Sequence, residues 1–291
     1  MRVQRASMAT DRSVQRVPDP RSLSTMSSTL DGSLLIVGGG RMGEALLAGL
    51  LAAGRPPNEL VVAEVSASRR RQLGAAYPSV TIAEEVVSCM GAVLAVKPGD
   101  VPAAARAVAD AGVRRVLSVA AGVTTASIEA AAGQALAVVR AMPNTPALIG
   151  AGAAAISPGS TADEEDMAWA EEILGAVGVV VRVPETALDA VTGLSGSGPA
   201  YLFLVAEAMV EAGVLAGLPR DVTETPTFQT LLGSSRLLVD GGSTPEALRA
   251  SVTSPGGTTA AGVRELERCG VRAAFLDAVA AAAKRSRELG Q

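Results

Sequence analysis

Apolar runs alternate with segments of helical periodicity through the first two thirds of the chain. The run Leu34–Val37 is closed by three glycines and followed by apolar residues at helical spacing from Met42 to Leu50, which predicts a strand, a tight turn and a helix. Further apolar runs lie between Ala-rich helical segments, at residues 60–63, 92–96, 116–119, 138–141 and 177–183. The alternation predicts βαβ units, and hence an α/β domain with a doubly wound parallel sheet over residues 31–183.

After Pro184 the apolar residues recur at intervals of three and four, and strand-like runs stop. Residues 184–291 are therefore predicted to form a second, all-helical domain. The segment Tyr201–Val210 is apolar around so much of its circumference that we expect one face to pack against another subunit, in a dimer or a larger assembly. Pro226 interrupts a later helical segment, and we expect a local bend there because an interior proline costs a helix about 3 kcal/mol.

The first 30 residues have no hydrophobic periodicity and carry five arginines among Ser, Thr, Gln and Pro. We expect residues 1–30 to be a disordered extension. Enrichment in Arg and Ser also fits a transit peptide, but Asp11, Asp19 and the lack of an amphipathic stripe argue against that interpretation. Met26 is an alternative start of translation.

Composition excludes several classes of function. Hydrophobic residues make up 48% of the chain, yet no apolar run free of charges and breakers reaches the roughly 18 residues of a membrane span, so no membrane partner is expected. The net charge of -4 disfavours nucleic acid. Cys89 and Cys269 lack metal or disulfide spacing, which is typical of a reducing cytoplasm. There is no histidine, the commonest metal ligand and general base, and no metal site is predicted.

A glycine motif lies between the first strand and the first long helix. Gly38, Gly40 and Gly43 have the spacing G-x-G-x-x-G, which allows a tight turn and lets a pyrophosphate approach the N–H groups at the start of the helix. Arg41 and Met42 belong to the same turn and are included among the predicted cofactor contacts. A glycine-rich turn that binds nothing is the alternative, but three glycines at this spacing favour a dinucleotide.

The end of the second strand carries opposing signals for the choice of cofactor. Glu64 lies near the position at which an acidic residue binds the ribose hydroxyls of NAD. Ser66, Ser68 and the arginines at 69–71 instead offer hydroxyl and guanidinium groups that suit the extra phosphate of NADP. The arginines are equally well explained as the solvated first turn of the next helix, so the choice stays open.

Three further segments follow predicted strands, at residues 95–98, 120–122 and 142–146, and open α/β sheets bind ligands beyond such strand ends. Small residues in these segments let a nicotinamide ring lie close to the backbone, Lys97 either faces the cofactor or caps a loop, and Asn144 can hydrogen-bond the carboxamide or the substrate. The cofactor contacts predicted from the first two segments are Ala95, Val96, Lys97, Pro98, Ala120, Ala121 and Gly122.

One loop in the helical half has the composition of an anion site. Residues 252–259 read Val-Thr-Ser-Pro-Gly-Gly-Thr-Thr and lead directly into a helical run. Consecutive N–H groups at a helix N-terminus, with several hydroxyls nearby, form a nest for a small carboxylate. A single capping threonine would be enough to start a helix, so the surplus of glycines and hydroxyls favours a ligand site over a simple cap.

In order and separation, these segments resemble the pyrroline-5-carboxylate reductase family. The resemblance extends from about Leu34 to Glu288 and rests on the glycine motif with Met42 and on residues 95–98, 120–122, 142–146, 194–200 and 254–259. It implies a Rossmann domain joined to a helical dimerisation domain, with the active site at the dimer interface. The implied activity is the reduction of 1-pyrroline-5-carboxylate to L-proline by NADPH, with NADH possible, in a cytoplasmic homodimer or higher homo-oligomer.

The resemblance also implies roles for residues. Thr259 looks like the residue that hydrogen-bonds the imine nitrogen. The residues that look like contacts to the substrate carboxylate are Ser254, Gly256, Gly257 and Thr258, with Asn144 as a further substrate contact. A protonated imine is already electrophilic, so hydride transfer to it needs orientation and proximity more than a general base.

The chain departs from the family at residues 65–69, Val-Ser-Ala-Ser-Arg, which lack the Asn or Arg often found just after the strand. Two other functions remain as alternatives. Another Rossmann reductase, acting on imines or hydroxy acids, would carry a catalytic Lys or Asp where residues 194–200 have only small residues and hydroxyls. A dinucleotide sensor without turnover would not need the loop 254–259.

Overall fold

The computed structural model describes residues 33–133 and 136–290, so the predicted extension over residues 1–30 lies outside the described residues. Its first part is an eight-stranded sheet in the order β3-β2-β1-β4-β5-β6-β7-β8. Neighbouring strands are parallel except β6 and β7, which are antiparallel. The strands are β1 Leu34–Val37, β2 Leu60–Ala63, β3 Thr81–Ala83, β4 Gly91–Leu94, β5 Arg115–Ser118, β6 Ala137–Met142, β7 Gly152–Pro158 and β8 Gly178–Arg182.

The order of the first six strands is that of a doubly wound Rossmann sheet, and the chain reverses direction of travel between β1 and β4. Sheets of this kind bind ligands in the crevice beyond the carboxyl ends of the strands at that reversal. The predicted α/β fold is therefore confirmed. The predicted glycine turn follows β1 and therefore lies at that crevice.

Alternation along the strands builds two cores, one on each face of the sheet. Leu34 and Ile36 of β1 contribute to one core, and Leu35 and Val37 contribute to the other. Helices α1, α2 and α5 cover the first face, and α3 and α4 cover the second. Their bounds are α1 Arg41–Ala52, α2 Ala67–Ala76, α3 Val101–Asp110, α4 Thr125–Ala132 and α5 Glu164–Gly175.

The rest of the described chain is helical. After β8 come α6 Leu188–Val191, a π-helical turn over Thr192–Gly196, α7 Gly198–Leu215, α8 Arg220–Asp240, α9 Pro245–Ser251, α10 Thr258–Arg268 and α11 Val271–Leu289. The last helix, α11, packs across α6 and the π-helical turn, α8 packs on α7, and α10 packs on α11. Helix α8 continues through Pro226, its seventh residue, although proline has no N–H for the carbonyl of Val222.

The helical region exposes a large apolar surface. Val210 is the one buried residue of α7, while Leu202, Phe203 and Leu204 are 55–65% exposed. By length and composition alone the segment Glu185–Leu215 would qualify as a membrane-spanning helix, and little of it is buried within the chain. Monomeric proteins rarely leave such a surface in water, and it is typical of an interface between subunits.

Candidate active site

The glycine turn after β1 has the geometry of a phosphate-binding turn. Gly38 has a φ of +99°, and a Cβ at this position would lie 2.6 Å from the carbonyl oxygen of Ala95. A Cβ at Gly43 would clash with the carbonyl oxygen of Gly38. Both positions therefore require glycine, since the first has a left-handed backbone and the second allows α1 to pack against the turn.

Gly40 differs from the other two glycines because nothing lies within 4 Å of where its Cβ would be. It is the N-cap residue of α1, and no side chain caps that helix. The first N–H groups of a helix have no partner within the helix, and the helix dipole attracts an anion to them. The open space beside Gly40 and the uncapped start of α1, at Arg41 and Met42, therefore fit the pyrophosphate of a dinucleotide.

Glu64 bridges β2 to the glycine turn through its carboxylate. Its Oε2 accepts a hydrogen bond of 2.9 Å from the N–H of Gly39, and its Oε1 accepts one of 2.7 Å from the N–H of Ser66. The carboxylate is thus held by backbone N–H groups of the glycine turn and of the segment after β2, and the peptide of Gly39 is fixed against the end of β2.

The residues after Glu64 form the N-terminus of α2. The hydroxyl of Ser66 caps this helix by accepting from the N–H of Arg69, and it lies 3.0 Å from the hydroxyl of Ser68. Both serines are exposed. The guanidinium of Arg70 donates to the carbonyls of Glu64 and Val65 and forms an ion pair with Glu84.

The loops after β4 and β5 lie at the same edge of the sheet. Lys97 is exposed at the start of a 3-10 turn, after the partly buried Ala95 and Val96, and Pro98 begins that turn. In the loop after β5, Ala120 is buried and Ala121 is partly buried. Gly122 has a φ of +77° and packs against the end of α11, where a Cβ on Gly290 would lie 2.5 Å from the carbonyl oxygen of Gly122.

Asn144, after β6, connects the sheet to the helical region. Its Nδ2 donates to the carbonyl of Ser195 at 3.1 Å, and its Oδ1 accepts from the N–H of Ala153 at 2.9 Å. The amide therefore fixes the π-helical turn against β7. Asn144 also lines a groove of about 1190 Å³ between this loop, α7 and α11.

The walls of the groove are almost entirely apolar, with two arginines on α11. The lining residues that define its sides are Pro146, Leu194, Phe203, Phe275, Leu276 and Arg287. Phe203 and Leu276 are 65% and 73% exposed, respectively. Among the residues that the structure describes, no member of the loop 254–259 lines this groove.

The loop 254–259 forms the start of α10. Gly256 has a φ of +70° with open space around it, and Gly257 is the N-cap residue of α10 and has no side-chain cap bond. The N–H of Gly257 donates to the carbonyl of Ser254, while Ser254, Thr258 and Thr259 are exposed. An uncapped helix start flanked by hydroxyls provides the donors that a carboxylate needs.

A partly buried ionic cluster at the junction between the sheet and the helices was not predicted from the sequence. Glu185 accepts hydrogen bonds from the N–H and the hydroxyl of Thr125, both at 2.8 Å, and from the guanidinium of Arg140. Burial alone would raise the pKa of Glu185, but the bonds from Thr125 and Arg140 outweigh burial and lower it. An acidic residue directly after Pro184, where the periodicity changes, was the available sequence signal.

Both parts of the chain, the sheet and the helical region, are similar to known proteins. A family model described as pyrroline-5-carboxylate reductase dimerisation matches residues 185–289, and one described as NADP oxidoreductase, coenzyme F420-dependent, matches residues 33–122. A curated pyrroline-5-carboxylate reductase of Mycobacterium tuberculosis is 44% identical over 283 residues, which cover 88% of this chain and 96% of that protein.

Two solved structures are similar over most of the chain. The pyrroline-5-carboxylate reductase of Coxiella burnetii has a TM-score of 0.84 and 36% identity, covering 89% of this chain and 99% of that one. A pyrroline carboxylate reductase of Plasmodium falciparum with NADP bound has a TM-score of 0.77 and 26% identity, covering 90% of this chain and 100% of that one.

Proposed function

The chain belongs to the pyrroline-5-carboxylate reductase family, and from that premise we propose how its residues share the reduction of 1-pyrroline-5-carboxylate to L-proline. It is an oxidoreductase that uses a nicotinamide cofactor, and it assembles with further copies of itself through the helical region. The observation that carries the residue assignments is that two of the helices without a side-chain cap, α1 and α10, begin directly after a glycine-rich turn. Gly40 opens α1 on the sheet, and Gly257 opens α10 on the helical region.

The cofactor side is formed by the carboxyl ends of β1, β2, β4 and β5. Gly38, Gly40 and Gly43, with the N–H groups of Arg41 and Met42, would hold the pyrophosphate at the start of α1. The segments 95–98 and 120–122 would line the nicotinamide half, because their small side chains leave the backbone accessible. The cofactor, when bound, supplies the hydride that reduces the imine carbon.

We favour NADPH as the cofactor, with NADH also accepted. The exposed hydroxyls of Ser66 and Ser68 lie beyond β2, where the extra phosphate of NADPH would be. Glu64, the residue that would favour NAD, directs both carboxylate oxygens at backbone N–H groups. The Plasmodium falciparum structure was solved with NADP bound.

We place the enzyme in the cytoplasm because its two cysteines, Cys89 and Cys269, are unpaired.

The substrate side is the start of α10. The N–H of Thr258 and the hydroxyls of Ser254 and Thr258 would bind the substrate carboxylate. The N–H of Gly257 donates to the carbonyl of Ser254, so Gly257 and the left-handed Gly256 would shape the turn around the carboxylate. Asn144 fixes the π-helical turn, and its Nδ2 has a second N–H with which it can reach a ligand. Asn144 would thus place the loop after β6 against the ring.

Thr259 would orient the imine. The imine of 1-pyrroline-5-carboxylate is protonated readily in water, and its N–H can donate to the hydroxyl oxygen of Thr259. A threonine hydroxyl does not titrate near neutrality, so Thr259 fixes the angle of attack and does not transfer a proton. The chain has no histidine, and its chemistry depends on orientation and proximity.

We further propose that each active site combines the sheet of one protomer with α10 of its partner. The loop 254–259 is exposed in the single chain, and the groove beside Asn144 is lined by apolar side chains of α7 and α11 that a second copy would cover. The dimerisation model spans all of α7–α11. A site divided in this way would be complete only in the assembled protein.

Steady-state oxidation of NADPH in the presence of 1-pyrroline-5-carboxylate tests the substrate assignment. We expect turnover with this imine and much less with open-chain 2-oxo acids, because the start of α10 suits a compact ring carboxylate. Equal turnover of a 2-oxo acid would favour another Rossmann reductase. Binding of NADPH with no turnover of either substrate would favour a dinucleotide sensor.

A further inference from the structure

The peptide of Gly39, in the centre of the glycine turn, is held from both sides by charged side chains. Its N–H donates to Oε2 of Glu64 at 2.9 Å, and its carbonyl accepts from Nε of Arg69 at 2.6 Å. The position is also crowded, because a Cβ on Gly39 would displace Cδ1 of Leu73, a buried residue of α2. The residue between the first two motif glycines is therefore fixed by contacts from β2 and α2.

Arg69 is in turn anchored by the helices on either side. One terminal nitrogen of its guanidinium bonds to Oε2 of Glu44 on α1, and the other donates to Oε1 of Gln72 at 3.1 Å. The side chain of Arg69 is 26% exposed, and that of Glu44 is 33% exposed. All three nitrogens of the guanidinium are thus engaged by protein oxygens, one each on the turn, on α1 and on α2.

We propose that Arg69 is a positioning residue that fixes the glycine turn for the pyrophosphate, and that it is not a ligand of the 2′-phosphate of NADPH. This proposal rests on the proposed cofactor site and deepens it. A guanidinium binds phosphate best through two parallel N–H groups that are free to form a fork. Three of the five N–H groups of Arg69 already donate to Gly39, Glu44 and Gln72, and these three bonds fix the orientation of the guanidinium. We therefore assign the extra phosphate to Ser66 and Ser68.

Binding measurements with both cofactors separate the two roles. A positioning residue acts on the pyrophosphate, which NADH and NADPH share, whereas a phosphate ligand acts on NADPH alone. For Arg69→Met in the full chain without substrate, we expect the Kd of NADH and the Kd of NADPH to rise by the same factor. That factor is about tenfold, because the variant loses one charged hydrogen bond to the glycine turn. Titration of the nicotinamide fluorescence gives both values. Arg69→Lys should recover part of the loss, because an ammonium can still reach one of the three oxygens.

Arg106, an exposed arginine on α3, supplies the matched control. Arg106→Met should leave both Kd values unchanged. Amide hydrogen exchange of residues 38–44 in the cofactor-free protein gives a second measure, and exchange should be faster in Arg69→Met and unchanged in Arg106→Met. If Arg69→Met does not fold, Glu44→Gln replaces it, because Glu44 holds Arg69 and makes no described contact with Gly39.

A loss confined to NADPH would overturn the proposal and make Arg69 a phosphate ligand. Unchanged Kd values for both cofactors in a folded Arg69 or Glu44 variant would overturn it as well. Failure of the proposed cofactor site gives a different result, because the wild-type chain would then bind neither cofactor in the same titration.

Discussion

Glu185 lies 3.0 Å from the guanidinium of Arg140 and connects the first turn after the sheet to strand β6. The side chain of Arg140 is only 7% exposed, so its charge is compensated inside the protein and not by water. The same carboxylate accepts two bonds from Thr125 at the start of α4. This cluster fixes the direction in which the chain leaves the sheet, and through it the position of α6, the π-helical turn and α7.

Glu185→Ala should destabilise the protein by about 1–3 kcal/mol, because it leaves the buried Arg140 and the N–H of Thr125 without this acceptor. Glu172→Ala, which removes a carboxylate that is 74% exposed, is the control and should change stability little. Thermal unfolding of both variants at one protein concentration measures the difference. Equal unfolding temperatures for Glu185→Ala and the wild type would show that water can satisfy Arg140 and Thr125 in place of the carboxylate.

The contribution of Glu185 also has a predicted pH dependence. Its folded-state pKa lies below the ordinary value of 4.5, so its stabilising effect is complete above pH 4.5 and is lost as pH falls through the lowered pKa. The difference in stability between the wild type and Glu185→Ala should therefore be constant from pH 7 to 5 and shrink below pH 4.5. A difference that grew on acidification would contradict the assigned direction of the shift.

Thr259→Ala should lower kcat about tenfold to hundredfold, the effect of removing one positioned hydrogen bond. Thr259→Ser should keep much more activity, since the hydroxyl remains. The Kd of NADPH should be unchanged in both, because Thr259 lies on α10 and the cofactor site on the sheet. If the alanine variant were fully active, or the serine variant as impaired as the alanine variant, the assignment of Thr259 would be wrong. Ser254 or Asn144 would then be the next candidate for holding the imine.

Glu64→Gln tests the charge at the end of β2 with little change in shape. A glutamine can still accept from the N–H of Gly39, but it no longer repels the 2′-phosphate of NADPH. The preference for NADPH over NADH, measured as the ratio of kcat/KM values, should rise by about fivefold, which corresponds to about 1 kcal/mol between charges in water. An unchanged ratio would mean that the carboxylate does not face the ribose.

Phe203→Glu should disrupt the assembly. Phe203 is 65% exposed on α7 and lines the apolar groove, where a second subunit would bury it, and moving a carboxylate out of water there would oppose association. Light scattering should find a dimer or larger species for the wild type at micromolar concentration and a smaller, inactive species for the variant. A monomeric variant with full activity would refute both the assembly and the shared site.

The sequence predicted the parts of the fold that depend on local pattern. Strands β1 and β2 lie where their apolar runs placed them, because each run is bounded by turn residues. Strand β7 was missed, since its sequence is rich in Gly and Ala and it becomes a strand only by pairing between β6 and β8. Strand β3 was missed because it has three residues at the edge of the sheet.

The same distinction applies to the candidate site. The glycine turn could be predicted because the strand, the glycines and the helix follow one another in sequence. The bond from Arg69 to Gly39 joins residues 30 positions apart, and that from Arg140 to Glu185 joins residues 45 apart, so neither could be read from spacing. Tertiary packing alone determined which arginines of α2 turn towards the protein.

The central claim, that sheet and α10 come from different protomers, can be tested with two defective subunits. Gly40→Asp places a carboxylate in the open space meant for the pyrophosphate, and Thr258→Asp places one at the site for the substrate carboxylate. Both substitutions suit the start of a helix, so both chains should fold. Each variant alone should be inactive.

Co-expressed with different tags and purified through both, the two variants form hybrids. If each site joins the sheet of one protomer to α10 of the other, one site in each hybrid pair has two intact halves, and activity should return to about half of the wild-type value. A hybrid no more active than either variant alone would show that each protomer holds its own complete site.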